Sequence, residues 1–306
     1  RRTAQQEMGF RQGGGRGLRE ILDQPFVVLR HVRQILAEAH FLLGRAAFDQ
    51  GDFQSSISHM SEAKTLDPQK YGEQVNVLTV LSYHKLQDVN KLKEALETLQ
   101  KENPAAVSRV PDVIPAWLGL QAYGMKDLET ADKYMTWATQ NDQLQNVKKV
   151  IWRNLAKVRL ALKKYDRALV ASNNFLKVED QPYRRADGML DKASILLGLG
   201  KYAEARKTAE EALALGVEGP LMASLKIVLG DISYAEKKFD EAAKHYGVTA
   251  ELFVNDAELK PKALFKAAEA LDKAGRKSEA SQYRARLQKE FPDWKQEGES
   301  LPPDAR

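Results

Sequence analysis

Residues 155–168 read LAKVRLALKKYDRA and residues 229–242 read LGDISYAEKKFDEA, two versions of one phrase. Each version opens with a leucine and a small residue, closes with an alanine, and carries an aromatic residue three positions before that alanine. The closing alanine recurs at a spacing of 37 residues and finally of 38, at Ala131, Ala168, Ala205, Ala242 and Ala280. Fixed periods in this range are typical of units that bury their apolar faces by stacking on copies of themselves. The chain therefore predicts an all-α solenoid.

The repeated phrase resembles the tetratricopeptide repeat (TPR), a pair of antiparallel helices of about 34 residues with small residues at positions 8 and 20. Position 8 falls on Gly44, Val80, Gly119, Ala156, Ala193, Gly230 and Ala268, and position 20 on Ser56, Leu92, Ala131, Ala168, Ala205, Ala242 and Ala280. The two positions lie 12 residues apart in every unit, which predicts one crossing geometry. The resemblance implies a right-handed superhelical solenoid of about seven TPR-like helix-turn-helix repeats with a period near 37.

Composition divides the chain into four segments. Residues 1–24 contain Gly and Arg but few apolar side chains, which predicts a flexible basic arm. Residues 25–110 are assigned to an N-terminal helix, beginning at Pro25, and to repeats 1 and 2. Residues 111–292 are assigned to repeats 3–7, and residues 293–306 to a disordered tail.

Charge and cysteine content set limits on partners and compartment. The net charge of +5 permits an acidic partner, although 47 basic residues stand against 42 acidic ones. No apolar run approaches the length of a membrane span. The chain has no cysteine, which suits an oxidising compartment. The last repeat also resembles repeats of Gram-negative periplasmic and outer-membrane assembly proteins, so we favour the bacterial periplasm or cell envelope, with the cytoplasm as the alternative.

Motifs for catalysis and metal binding are absent from the sequence. The five histidines have neither the HExxH spacing nor nearby cysteines that zinc sites use. No P-loop, nucleophile elbow or kinase signature occurs. We therefore expect a protein that is not an enzyme and holds no cofactor and no metal.

The family resemblance implies a concave groove lined by the first helix of each repeat. Arg153 and Lys157 occupy groove positions one helical turn apart, within a stretch of eight bases in residues 148–167. They are predicted either to meet an acidic group of a partner or to pair with Asp187 and Asp191 of the next repeat. The predicted partner-binding groove consists of Leu120, Tyr123, Arg153, Lys157, Leu160, Leu190, Ile227, Asp231 and Tyr234.

These features favour a non-enzymatic protein–protein interaction scaffold that binds a peptide or helical segment with acidic and aliphatic residues in its groove. Bacterial cell-envelope assembly is the favoured context. One alternative is a nucleic-acid-binding repeat protein that uses the basic fourth repeat and the N-terminal arm. Another is the accessory repeat array of a larger enzyme.

Replacing Ala205 by Phe tests the repeat assignment. Position 20 is predicted to lie where the two helices approach most closely, so a large side chain should lower the free energy of unfolding by about 1–3 kcal/mol. Thermal or urea unfolding measures the change. A variant that unfolds like the parent would show that position 20 lies elsewhere.

Overall fold

The computed structural model describes residues 6–140, 145–252 and 257–295, with side chains described from residue 27 onward except for 145–147. Within these ranges the chain forms fourteen α helices and one short 3-10 helix at Pro104–Arg109, and no strand. None of the described helices is both long and apolar enough to cross a membrane. The α helices are α1 Gln6–Asp49, α2 Phe53–Leu66, α3 Pro68–Lys85, α4 Val89–Glu102, α5 Val113–Gly124, α6 Leu128–Ala138, α7 Gln145–Ala161, α8 Tyr165–Val178, α9 Pro182–Gly198, α10 Tyr202–Ala214, α11 Gly219–Ala235, α12 Phe239–Leu252, α13 Leu259–Lys273 and α14 Lys277–Glu290.

The helices pair into seven hairpins, α1–α2 to α13–α14, which confirms the all-α repeat fold. Position 8 lies on the first helix and position 20 on the second in every hairpin, and all fourteen residues are buried. The space between the helices is tight. A Cβ added to Gly119 would lie 2.9 Å from the backbone nitrogen of Met135, and one added to Gly230 would lie 2.4 Å from Cε1 of Tyr246. Glycine is required at these two crossings because a side chain would force the helices apart.

The turn inside each hairpin has one backbone conformation. Seven residues after position 8, the chain adopts a positive φ between 55° and 83° in every hairpin, at Gly51, Gln87, Lys126, Lys163, Gly200, Lys237 and Gly275. In the fifth hairpin the N–H of Gly200 donates to the carbonyl of Leu197, and that of Lys201 donates to the carbonyl of Leu196, each at 2.9 Å. The other six turns repeat this pair of hydrogen bonds, which closes the end of the first helix.

The start of the second helix divides the hairpins into two kinds. In the first three hairpins it begins at an aspartate whose carboxylate accepts a backbone N–H, at Asp52, Asp88 and Asp127. In three later hairpins the N-cap residue is basic and its side chain accepts no capping hydrogen bond; these residues are Lys164, Lys201 and Arg276. A cation at a helix N-terminus opposes the helix dipole. Carboxylates of the preceding hairpin offset this effect: Lys164 contacts Glu129 at 2.8 Å and Asp132 at 3.0 Å, and Arg276 contacts Asp240 at 2.9 Å.

The chain separates into two compact units, Arg1–Ile114 and Pro115–Arg306, whereas composition places the boundary after residue 110. One buried cluster of the N-terminal unit consists of Ala37, Met60, Ala63, Tyr71 and Val75. In the C-terminal unit, buried clusters follow one another along the chain and overlap, over residues 116–195, 186–232 and 227–280. Each hairpin there packs on its sequence neighbours, as a solenoid requires.

Helix α1 begins earlier than the sequence predicts. It runs from Gln6, so residues 6–24 are helical where composition predicts a flexible arm, and Pro25 lies inside the helix instead of in its first turn. Helix propagation gains a hydrogen bond for each added residue, and glycine weakens a helix by about 1 kcal/mol without ending it. Residues 1–5 of the predicted arm and 296–306 of the predicted tail lie outside the described residues.

Replacing Gly200 by Ala is expected to lower the free energy of unfolding by about 1 kcal/mol, because Gly200 has φ 72° and residues with a Cβ disfavour this region. The added Cβ would contact nothing within 4 Å, so the cost is conformational. Urea unfolding measures it. The control is Lys163→Ala at the same turn position, where φ is 55° and both residues carry a Cβ, so no change is expected. Equal losses in both variants would contradict the shared turn geometry.

Candidate partner-binding face

The first helices of successive hairpins in the C-terminal unit contact one another in chain order. Helix α7 contacts α9, α9 contacts α11, and α11 contacts α13. These four helices form one layer, and each also packs against the second helix of its own hairpin. The predicted groove residues from Arg153 to Tyr234 lie on three helices of this layer, whereas Leu120 and Tyr123 lie on α5.

Arg153 and Lys157 on α7 are paired with acidic residues of α9. An Arg153 guanidinium nitrogen, Nη2, donates to Oδ2 of Asp187, and Arg153 Nε lies 3.8 Å from Oδ2 of Asp191. Lys157 Nζ lies 4.0 Å from the same oxygen of Asp191. The predicted pairing with the next repeat is therefore confirmed. The four side chains form a cluster of two cations and two anions, called here the α7–α9 charge cluster.

The α7–α9 charge cluster has unused hydrogen-bonding capacity. Neither Arg153 Nε nor Asp191 Oδ2 forms a hydrogen bond within the described residues, although both atoms are buried. The Asp191 side chain is only 13% exposed, and burial raises the pKa of its carboxyl to about 6 even though Lys157 and Arg153 oppose the shift. The side chains of Arg153 and Lys157 keep 27% and 34% of their surface exposed. A ligand can therefore reach both cations.

Four of the predicted groove residues are apolar side chains that pack into the cores of these hairpins. Leu120, Tyr123 and Leu160 are partly buried and pack against the same core cluster. Leu190 is also partly buried and packs against the next one. On α7, Val150 is half exposed one turn before Arg153. The face thus combines reachable cations with partly exposed apolar surface.

The three groove residues predicted on α11 are not available as an open surface. Ile227 and Tyr234 are buried in the core shared with α12 and α13, and Tyr234 makes an edge-on ring contact with Phe239 at 5.2 Å. Asp231 accepts a hydrogen bond from the Tyr246 hydroxyl at 2.6 Å and forms an ion pair with Lys266 at 2.9 Å. Ile227 and Tyr234 therefore offer no open groove surface, because α13 packs against this side of α11, whereas Asp231 keeps 17% of its side chain exposed.

Ion pairs link neighbouring first helices at equivalent repeat positions, and only the pair formed by Lys157 was predicted from the sequence. Position 9 of one repeat pairs with position 6 of the next: Lys157 with Asp191, and Asp231 with Lys266. Opposite charges about one repeat apart are the signal that identifies the second pair. No sequence pattern identifies the hydrogen bond from the Tyr246 hydroxyl to Asp231. Burial, together with Asp231, raises the pKa of this hydroxyl.

The basic stretch of the fourth repeat is largely neutralised within the fold. Arg159 is buried and donates from Nε to Asp132 at 2.7 Å. Although burial opposes it, hydrogen bonds from Arg159 and Lys164 hold the pKa of Asp132 below its usual range. Lys149 contacts Asp180 at 3.3 Å. Together with Arg153 and Lys157, five of the eight bases are engaged by carboxylates.

Sequence profiles of the tetratricopeptide repeat match residues 37–70, 190–253 and 262–293. The chain therefore contains tetratricopeptide repeats. The matched segments correspond to the first, fifth, sixth and seventh hairpins. Tetratricopeptide repeats are generally non-catalytic interaction modules, and the chain is accordingly a protein-interaction scaffold.

Three solved structures illustrate the shared fold. The apo form of RapI aligns with a TM-score of 0.52 at 15% identity, over 85% of this chain and 78% of that one. A Rap protein complexed with Competence and Sporulation Factor aligns at 0.51 and 14%, over 86% and 78%. BtubC from P. vanneervenii aligns at 0.50 and 18%, over 73% and 95%. At these identities the likeness establishes the helical-repeat fold alone. Comparison with curated proteins found no match.

Replacing Asp191 by Asn should remove a pH dependence of stability. The native carboxyl keeps its proton up to about pH 6, whereas the unfolded carboxyl loses it near 3.8. Between these pH values the native state binds more protons, so stability falls as pH rises. The wild-type chain should therefore lose roughly 2–3 kcal/mol of unfolding free energy relative to the variant between about pH 4 and pH 6.

Urea unfolding at several pH values measures this difference. Asp180→Asn is the matched control, because the Asp180 carboxyl is exposed and its pKa is lowered, first by a backbone hydrogen bond and then by Lys149. The control should show no such fall. A wild-type-to-Asp191→Asn difference that stays constant with pH would contradict the buried, proton-retaining carboxyl.

Proposed function

We propose that this tetratricopeptide repeat protein is a non-enzymatic scaffold that binds a peptide or helical segment of another protein across α7 and α9. The observation that carries the proposal is the pair of reachable cations, Arg153 and Lys157, one turn apart on the layer of first helices. The bound segment presents an acidic group to these cations and aliphatic side chains to the apolar surface around them.

The charge cluster supports an acidic ligand because its internal pairing is incomplete. Lys157 lies at 4.0 Å from Asp191, at the limit of an ion pair, and the Arg153 side chain keeps 27% of its surface exposed. A ligand carboxylate that accepts hydrogen bonds from both cations completes their coordination. The fixed carboxylates of Asp187 and Asp191 meanwhile hold the two cations in place, so less side-chain entropy is lost on binding.

The apolar surroundings support the aliphatic part of the ligand. Leu120, Tyr123, Leu160 and Leu190 each keep part of their surface exposed while their remaining surface packs into the core. Anchored side chains of this kind offer apolar area without a large cost of ordering, which suits recognition of a helix or extended peptide.

For the compartment, we propose the bacterial periplasm or cell envelope, with cell-envelope assembly as the process and the cytoplasm as the alternative location. The absence of cysteine supports this proposal because disulfide chemistry cannot then disturb the fold in an oxidising compartment. Nucleic-acid binding is not proposed, since carboxylates engage five of the eight bases on which it depends.

Selection from a random peptide display library tests the proposal without knowledge of the natural partner. The parent chain should enrich peptides in which an acidic residue is flanked by aliphatic ones. A selected peptide should bind the variant Arg153→Gln with Lys157→Gln at least tenfold more weakly, because both cations are lost from its site. Fluorescence anisotropy measures the dissociation constants, and affinity for the parent should fall with added salt.

The matched control is Lys163→Gln with Arg167→Gln. Lys163 and Arg167 are exposed and lie in the same hairpin as Arg153 and Lys157, but neither occupies a groove position of α7. The two control substitutions remove the same amount of positive charge. The control should bind like the parent, and circular dichroism should show equal helix content in all three proteins. Equal weakening in both double variants, or none in Arg153→Gln with Lys157→Gln, would refute the proposed face.

A further inference from the structure

One side of α1 carries an uninterrupted exposed apolar face. The opposite side of the helix packs against α2 through Ala37, Phe41 and Gly44. Nine exposed residues lie together on another side of the helix and are all apolar, and the seven larger ones are 47–67% exposed. These nine residues, the α1 face, are Val28, Leu29, Val32, Ile35, Leu36, Ala39, Leu42, Leu43 and Ala46.

The α1 face is larger than the scattered apolar residues of an ordinary protein surface. It extends over 19 residues of one helix, and no polar residue interrupts it. Apolar patches of this continuity mark surfaces that another molecule covers. A helix that is apolar on two opposite sides is accordingly expected to pack on both.

The spacing along the α1 face specifies a helix as its partner. Val28, Val32, Ile35, Ala39, Leu42 and Ala46 follow one another at alternating intervals of four and three residues, which is the seam of a coiled coil. Leu29, Leu36 and Leu43 follow one edge of this seam at intervals of seven. His31, Glu38 and Arg45 follow the other edge at the same intervals.

We propose that the α1 face binds the α1 face of a second copy of this chain, with the two helices antiparallel. One register pairs the C-terminal part of the face, from Ile35 to Ala46, whereas Val28, Leu29 and Val32 extend beyond the paired part. Ala39 then lies opposite Leu42 of the second copy, and Ile35 opposite Ala46 of the second copy, so each small residue faces a large one. The same register places Leu36 opposite Leu43 on one edge. It places Glu38 opposite Arg45 on the other edge.

Charge and volume both select this antiparallel arrangement. The two-fold symmetry of the pair repeats the Glu38–Arg45 contact, so two complementary ion pairs flank the seam. Both side chains are exposed, and Glu38 forms an ion pair with the exposed Lys70 at 3.6 Å. A parallel pair instead puts Ala39 against Ala39 and sets Glu38 against Leu43, which leaves a gap and an unmatched charge.

Sedimentation velocity of the full chain with two single charge reversals tests the pairing. The parent is expected to dimerise with a dissociation constant on the order of 10 µM, as suits a small interface. Glu38→Arg and Arg45→Glu should each weaken dimerisation at least tenfold, because each places like charges in both contacts. An equimolar mixture of the two variants should regain the parent affinity, since every contact in the mixed dimer joins opposite charges.

Two further variants separate this interface from general surface effects. Ile35→Asp, in the centre of the face, should leave the chain monomeric. Val170→Asp is the control, because Val170 is 57% exposed on α8 and lies outside the face, so it should dimerise like the parent. A parent that stays monomeric at concentrations on the order of 100 µM overturns the proposal. So does a dimer that Ile35→Asp leaves intact, or two charge variants whose mixture stays monomeric.

Discussion

Close approach of the two helices in each hairpin is the constraint on which the structure depends. At Gly119 the neighbouring backbone is so near that a single added carbon would collide with it, and the equivalent positions of the other hairpins are buried as well. Because the approach recurs with the same turn, every hairpin repeats one arrangement of its two helices. The layer formed by α7, α9, α11 and α13, and with it the candidate face, follows from this repetition.

The sequence predicted the hairpins well because their determinants are local and repeated. Ala205 and Ala168 occupy equivalent places in two hairpins, and their constant distance from position 8 reflects one turn geometry. The start of α1 at Gln6 was not predicted because the glycines of this segment favour a flexible chain. Composition alone does not show that the helix formed by the following residues extends through them. Ile227 and Tyr234 were misplaced because the packing of α13 over α11, which no local pattern encodes, decides their exposure.

Arg153 illustrates how pairing inside a scaffold is compatible with the recognition of a ligand that we propose. Its guanidinium is held by Asp187, yet 27% of its side-chain surface stays exposed to another acceptor. A lone cation on this face would attract any anion, whereas a cluster with equal numbers of charges favours only a ligand whose carboxylate fits the remaining donors. Such balance yields selectivity at the expense of raw attraction.

The basic N-cap residues of the later hairpins affect how the repeat array unfolds. Asp52, Asp88 and Asp127 cap their helices from within the same hairpin, so those helices begin without outside help. Lys164 instead depends on carboxylates of the hairpin before it, whereas Arg276 pairs both with Asp240 of the preceding hairpin and with Glu279 of its own. When the preceding hairpin opens, Lys164 is left as an uncompensated cation at a helix N-terminus, and its own hairpin loses stability in turn. Local fraying thereby becomes cooperative melting that spreads towards the C-terminus.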